Sequence, residues 1–228
     1  MAPPSTPDRY PPRQATAFDD IAEVKVGSAP HTTCFRLHKG LLSFYSGYFA
    51  KALNGSFVES RTGAITMTTE DPETFKLFQY WLYNRQFYSD KAHEVENTLW
   101  STIIKLWIFG DAHEIPLLQN AALDLFREKI VQKWLVPTSE IRNIYNNTLP
   151  GSLLRKFMVE VTAYTGYATV TLAPGTEDWW IHEALCDLLK VLWVPQPINY
   201  SKEDLQKMDM CKYHVHEEGV RCTHTRTS

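Results

Sequence analysis

Alternation of apolar and polar positions marks short strands in the first third of the chain. In "DIAEVKVG" (20–27), Val24 and Val26 alternate with Glu23 and Lys25 before Gly27 ends the run. "SAPHTT" reads as a loop. Phe35 and Leu37 then alternate with Arg36 and His38, so the two runs predict a hairpin. "AITM" (64–67) predicts a third strand after the Arg61-Thr62-Gly63 turn, and "QFYS" (86–89) an edge strand.

From Gly40 the period changes. Leu41, Leu42, Phe44, Tyr45, Tyr48, Phe49 and Leu53 fall mostly three or four apart, which predicts one or two short helices ending at Asn54-Gly55. Asp71, Pro72 and Glu73 are a cap, a first-turn proline and a charge matched to the helix dipole. Behind them Phe75, Phe78, Trp81 and Leu82 form an apolar face. Trp100, Ile103, Ile104, Trp107 and Ile108 mark the next helix, and Pro116 separates it from one carrying Leu118, Ala122, Leu125, Phe126 and Ile130. Further on, Thr138 or Ser139 is the expected cap for a helix with Ile141, Ile144 and Tyr145. "GSLLRKFMVEVTAYTG" and "EDWWIHEALCDLLKVL" are two more amphipathic segments, before "VPQPINY" interrupts. Strands first and helices afterwards indicate an α+β fold.

Composition narrows the function classes. The 228 residues are 44% hydrophobic and 13% aromatic, enough for a packed core, and the net charge is −3. That balance, and five Lys/Arg against five Asp/Glu in residues 202–228, argue against direct nucleic-acid binding. The most apolar stretch, "LWSTIIKLWIFG", is short and broken by Lys105, so no membrane span is expected. Residues 1–17 hold five prolines in the first twelve positions and lack the apolar run of a signal peptide, which predicts a disordered, locally extended tail. Four cysteines in a chain this long do not make a disulfide scaffold, so reduced thiols in cytoplasm or nucleus are the expectation.

Several pieces in a fixed order resemble a BTB/POZ domain, in wording close to the BTB/POZ proteins of filamentous fungi. They are "DIAEVKVG" with its leading Asp20, "FRLHKGLLSFYSGYF" with His38, "LNGSFVES", "TTEDPETFKLFQYWLYN" and the helix pair near 96–133. The resemblance implies a short sheet capped by a helical cluster over 18–133. A helical C-terminal region (134–200) and a Cys/His-rich tail (201–228) would follow. It implies protein–protein interaction rather than catalysis, with Asp20 and His38 structural at the junction of sheet and helices. A half-buried imidazole there needs a partner, which a carboxylate could supply.

Relatives that act as adaptors for cullin-3 ubiquitin ligases use a hydrophobic-x-Glu element, and Phe57-Val58-Glu59 stands at the matching place. An exposed aromatic anchor beside an acceptor suits a basic partner surface. The alternative is that Phe57 tucks into its own domain. Dimers of animal relatives commonly use an extra helix ahead of the first strand. Here that position is Pro-rich, which argues against a swapped-helix homodimer and leaves other homodimers open.

Catalytic motifs are few. His113-Glu114, His182-Glu183 and His216-Glu217 each lack the second His of a metalloprotease helix, and G-x-S-x-G, P-loop and G-x-G-x-x-G patterns are absent. Cys186, inside "HEALCDLL", reads as a small core residue. In the tail, Cys211, His214, His216 and Cys222 offer two thiols and two imidazoles, a donor set suited to structural zinc; His224 could replace either histidine. In extended chain His214 and His216 project to one side, and "EEG" permits a return to Cys222. A frayed tail is the alternative. The rival functional class is a small zinc-dependent enzyme, or a transcription-associated regulator, built on these residues.

Overall fold

The computed structural model describes residues 15–89, 95–166, 175–193, 199–216 and 222. The chain divides into two compact units. One comprises residues 1–91, 109–119 and 216–228; the other comprises 92–108 and 120–215.

The first unit is built on three strands, β1 (Ile21–Val26), β2 (Thr33–His38) and β3 (Ala64–Met67), in the order β2-β1-β3. β1 pairs antiparallel with β2, setting Val24 opposite Phe35, and parallel with β3, setting Val24 beside Ile65. Ala22, Val24, Val26, Phe35, Leu37, Ile65 and Met67 are buried while Ile21, Lys25 and Arg36 are exposed, so the sheet buries one face. The parallel pairing requires a long crossover. β2 and three helices supply it: α1 (Lys39–Tyr45), α2 (Gly47–Asn54) and α3 (Val58–Thr62).

Ser46 decides that the 40–54 segment is two helices. Its backbone is extended (φ −123°, ψ 121°), and its hydroxyl accepts from the Phe49 amide at 3.0 Å as the cap of α2. The same Oγ donates to the His113 carbonyl at 2.7 Å. Gly47 lies so near Glu114 that a Cβ would fall 2.1 Å from its carboxylate, while the Gly47 amide donates to the Glu114 carbonyl at 3.1 Å.

α4 (Pro72–Asn84) begins as its sequence predicts, with Asp71 Oδ2 accepting from the Thr74 amide at 3.3 Å and the Thr74 hydroxyl at 2.8 Å. Its buried face, Phe75, Phe78, Trp81 and Leu82, meets Phe49 and Phe109 in a run of rings, with Phe75–Phe78 at 5.3 Å and Phe78–Phe109 at 5.0 Å. Each such ring contributes about 2–3 kcal/mol through burial. Residues 86–89 form bends rather than the expected edge strand. Burial of Phe87 pins that stretch without ladder pairing.

α5 (Trp100–Ala112) and α6 (Pro116–Lys133) have segments in both units. The second unit adds α7 (Ile141–Asn146), α8 (Leu153–Tyr164), α9 (His182–Trp193) and α10 (Lys202–Lys207). Neither Thr138 nor Ser139 caps α7. Pro137 instead leads a 3-10 turn, Thr138–Glu140, that runs into the helix without a side-chain cap. Phe126, Phe157 and Tyr213 form the unit's aromatic centre, Phe157 meeting Phe126 at 5.9 Å and Tyr213 edge-on at 5.1 Å. Among the described residues no helix is long and apolar enough to cross a membrane.

The expected tail at 1–17 is shortened by a 3-10 turn, Ala15–Phe18, whose Ala17 is buried against Gly40; residues 1–14 lie outside the described residues.

Candidate functional site

The strand-to-helix junction is tied by backbone and side chain together. The Lys39 amide donates to the Asp20 carbonyl at 2.8 Å, and Ile21 pairs with His38 in the sheet register. Asp20 thus acts through its main chain. His38 is half-buried, and its Nδ1 lies 2.9 Å from the Tyr83 hydroxyl, which also accepts from the His38 amide at 3.1 Å. A phenol takes the place expected for a carboxylate. Phe18 closes the other side of the imidazole, edge-on at 5.2 Å.

Phe57, Val58 and Glu59 sit at the start of α3. Phe57 is the residue before the helix, and its carbonyl accepts from the Ser60 hydroxyl at 2.7 Å and the Ser60 amide at 3.2 Å. That short helix buries none of its residues, and Phe57 and Val58 are 60% and 59% exposed. An exposed aromatic next to an exposed β-branched residue costs hydration in the isolated chain and is recovered when a partner covers it. Glu59 supplies negative charge beside them. Tyr48, itself partly exposed, feels this acidity: burial pushes its phenol up, and the Glu59 and Glu70 charges push it further. Lys51 answers Glu114 with an ion pair at 2.7 Å on the neighbouring helix. Tyr48, Lys51 and Glu114 carry no local signal for this surface in the sequence, because Glu114 reaches it only through the fold.

His113 is a buried histidine behind that surface. Its Nδ1 lies 2.8 Å from the Phe109 carbonyl, and its ring packs on Phe109 at 4.2 Å and against Tyr48 at 4.9 Å. Burial holds its pKa below 6.5, against the opposing pull of the Phe109 carbonyl and Glu70.

The second unit holds two polar networks that the amphipathic pattern does not reveal. Arg155 is buried within the apolar run of α8. Its Nε donates to the Thr148 hydroxyl, Nη1 to Glu183 and Nη2 to the Tyr145 carbonyl, each at 2.8 Å, with a further bond to the Thr148 carbonyl. Glu160 accepts from Lys212 at 2.8 Å, Tyr213 at 2.7 Å and Tyr164 at 3.2 Å. Burial raises its carboxyl pKa, yet the bonds from Lys212 and Tyr213 and the charges of Lys212 and Lys156 leave it below the ordinary value. Burial first, then Glu160, pushes the Tyr164 phenol up to about 12, so it stays a neutral donor. Cys186 is half-buried rather than a core residue, its sulfur 3.7 Å from Nε2 of His182 one turn earlier.

The Cys/His-rich segment begins as a 3-10 turn, Met210–Tyr213, capped by Asp209, which accepts from the Cys211 amide at 2.9 Å. The Cys222 sulfur is 3.3 Å from His216 Nε2. His214, whose backbone is extended (φ −88°, ψ 145°), has its Nε2 3.3 Å from Asp124 Oδ1 on α6. His224 lies outside the described residues.

Residues 18–104 match the BTB/POZ domain family. A BTB/POZ domain-containing protein of Arabidopsis thaliana is similar to this chain, 31% identical over 65 residues, or 28% of the chain. The chain spans 8% of that protein's length.

Proposed function

From the BTB/POZ domain that residues 18–104 form, we infer that this chain works by binding other proteins rather than by catalysis. The partner-binding element is Phe57-Val58-Glu59, and the partner is cullin-3, with the chain serving as a ubiquitin-ligase adaptor. The observation that carries this reading is the 60% exposure of Phe57 at the N-terminal end of a helix that buries none of its residues, near the Glu59 carboxylate. An aromatic anchor entering a partner pocket would supply most of the affinity, and Glu59 would orient a basic partner surface. Asp20 and His38 hold the strand-to-helix junction and take no part in chemistry. The helices after residue 133 would recognise the protein to be modified.

The test is capture of purified cullin-3 by the full chain and by Phe57→Ala/Glu59→Ala. We expect wild type to bind and the double variant to lose binding, with little change in melting temperature because Phe57 is exposed and Glu59 is not in the core. Wild type that fails to capture cullin-3, or a double variant that captures it equally, would discard the adaptor reading.

A further inference from the structure

We propose that α9 pairs antiparallel with α9 of a second copy of this chain, about a two-fold axis. The helix carries more apolar surface than its own unit uses. At about 100° per residue, Ala184, Leu188, Leu192, Leu185, Leu189 and Trp193 succeed one another around an arc of about 180°, whereas about 100° suffices to face a core. Ala184 and Leu188, at one edge of the arc, are buried. Leu185 and Leu192 are half-buried, and at the other edge Leu189 and Trp193 are 63% and 88% exposed. These last two stand one turn apart and are neighbours on the surface. Glu183 and Asp187 hold the helix from its polar side, Glu183 accepting from Arg155 Nη1 at 2.8 Å and Asp187 from the Tyr145 hydroxyl at 3.0 Å. So anchored, α9 cannot roll to bury its open edge.

The order of residues along this seam points to a second copy as the occupant. Reversing one helix against another about a point between Leu185 and Leu189 sets Leu189 of each copy against Leu185 and Cys186 of the other, and Trp193 against the exposed His182. Charges on the rim select the direction. Lys190 and Glu183 project from the same flank of the seam, both are exposed, and their signs are opposite. An antiparallel pair brings Lys190 of each copy alongside Glu183 of the other, whereas a parallel pair would face Lys190 with Lys190 and Glu183 with Glu183. The helix is about 18 Å long. One such seam buries less than the roughly 1,600 Å² of a standard interface, so the pair is weak, reversible and dependent on concentration.

Sedimentation equilibrium of the full chain, from low micromolar to several hundred micromolar, reads the pairing. We expect a reversible monomer–dimer equilibrium whose dissociation constant rises about tenfold or more in Leu189→Glu and in Trp193→Glu, each of which removes an apolar contact and buries a charge. Lys190→Glu, set against Glu183 of the second copy, should weaken pairing about three- to tenfold. All three side chains are exposed, so circular dichroism and melting temperature should stay close to wild type. Should one variant not fold, the other two still read the interface. Phe57→Ala should pair as wild type does, which separates this surface from the cullin-3 reading. A wild-type chain that stays monomeric throughout assigns the face to a different protein and overturns the pairing, as does a dimer that Leu189→Glu and Trp193→Glu leave intact. A Lys190→Glu variant that pairs as tightly as wild type overturns the antiparallel direction.

Discussion

The Tyr83 hydroxyl accepts from the amide of His38 at 3.1 Å while standing 2.9 Å from the same residue's Nδ1, so one phenol closes both polar groups at the strand-to-helix junction. Tyr83→Phe should lower stability by about 1 kcal/mol and His38→Ala by about 1–3 kcal/mol, since each removes one partner and the second also leaves a cavity. Urea denaturation of the two single variants and the double variant checks this: coupled partners give less than the sum of the single losses. Unchanged midpoints combined with lost cullin-3 capture would move His38 from support to recognition.

Gly40→Ala tests a competition between two effects. In an open helix the added methyl would stabilise by roughly 0.5–1 kcal/mol. At Gly40 a Cβ would lie 2.4 Å from the Ala17 carbonyl oxygen and 2.6 Å from its Cα, contacts with backbone that cannot rotate away. Overpacking of this kind costs about 1–3 kcal/mol, so the net change is a loss. Hydrogen exchange should locate it, with faster exchange in Ala15–Phe18 and little change in α4. A more stable variant would refute the contact.

Much of the fold was legible because periodicity records burial. Val24, Val26, Phe35 and Leu37 alternate because one sheet face is covered, and the Phe75-Phe78-Trp81-Leu82 face follows from a capped helix with an unambiguous start. Asp71 could be read as a cap because it precedes Pro72, whereas Thr138 could not be excluded as one, since its 3-10 turn depends on Pro137 and on its own burial. Long-range polar pairs left no local trace. His214 meets an aspartate 90 residues away, and Arg155, flanked by Lys156 in the sequence, reads as solvated until α7 and α9 enclose it. Phe57-Val58-Glu59 was visible as contiguous residues; the Lys51–Glu114 pair on the same unit spans 63 positions and was not.

Arg155→Met should be among the most damaging single changes in the second unit. The substitution keeps the side chain's apolar stem but strands the Tyr145 and Thr148 carbonyls, while the Glu183 carboxylate, 48% exposed, turns to water. Each stranded carbonyl costs about 1–3 kcal/mol. Lysine would not rescue it, because one ammonium cannot replace a planar fork that binds four groups. Calorimetry would check both variants, and an Arg155→Lys midpoint equal to wild type would show that charge alone suffices.

Glu160 should make stability fall in acid. Burial raises its carboxyl pKa, but hydrogen bonds from Lys212 and Tyr213, with the Lys212 and Lys156 charges, outweigh that and leave the folded value below 4.5. A carboxyl depressed on folding contributes stability that is fully present above its unfolded pKa and is lost as pH falls through the folded one. The side chain is only 13% exposed, so solvent screens the pair with Lys212 weakly. Glu160→Gln keeps an acceptor for Tyr213 but leaves Lys212 without its counter-charge, which should cost about 1–2 kcal/mol at neutral pH. The two proteins should therefore differ most above pH 4.5 and converge below it, as wild type becomes protonated. Urea midpoints measured from neutral pH down to the acid transition test the sign. A gap that stays constant across the range would show that the carboxylate's charge contributes nothing beyond its shape.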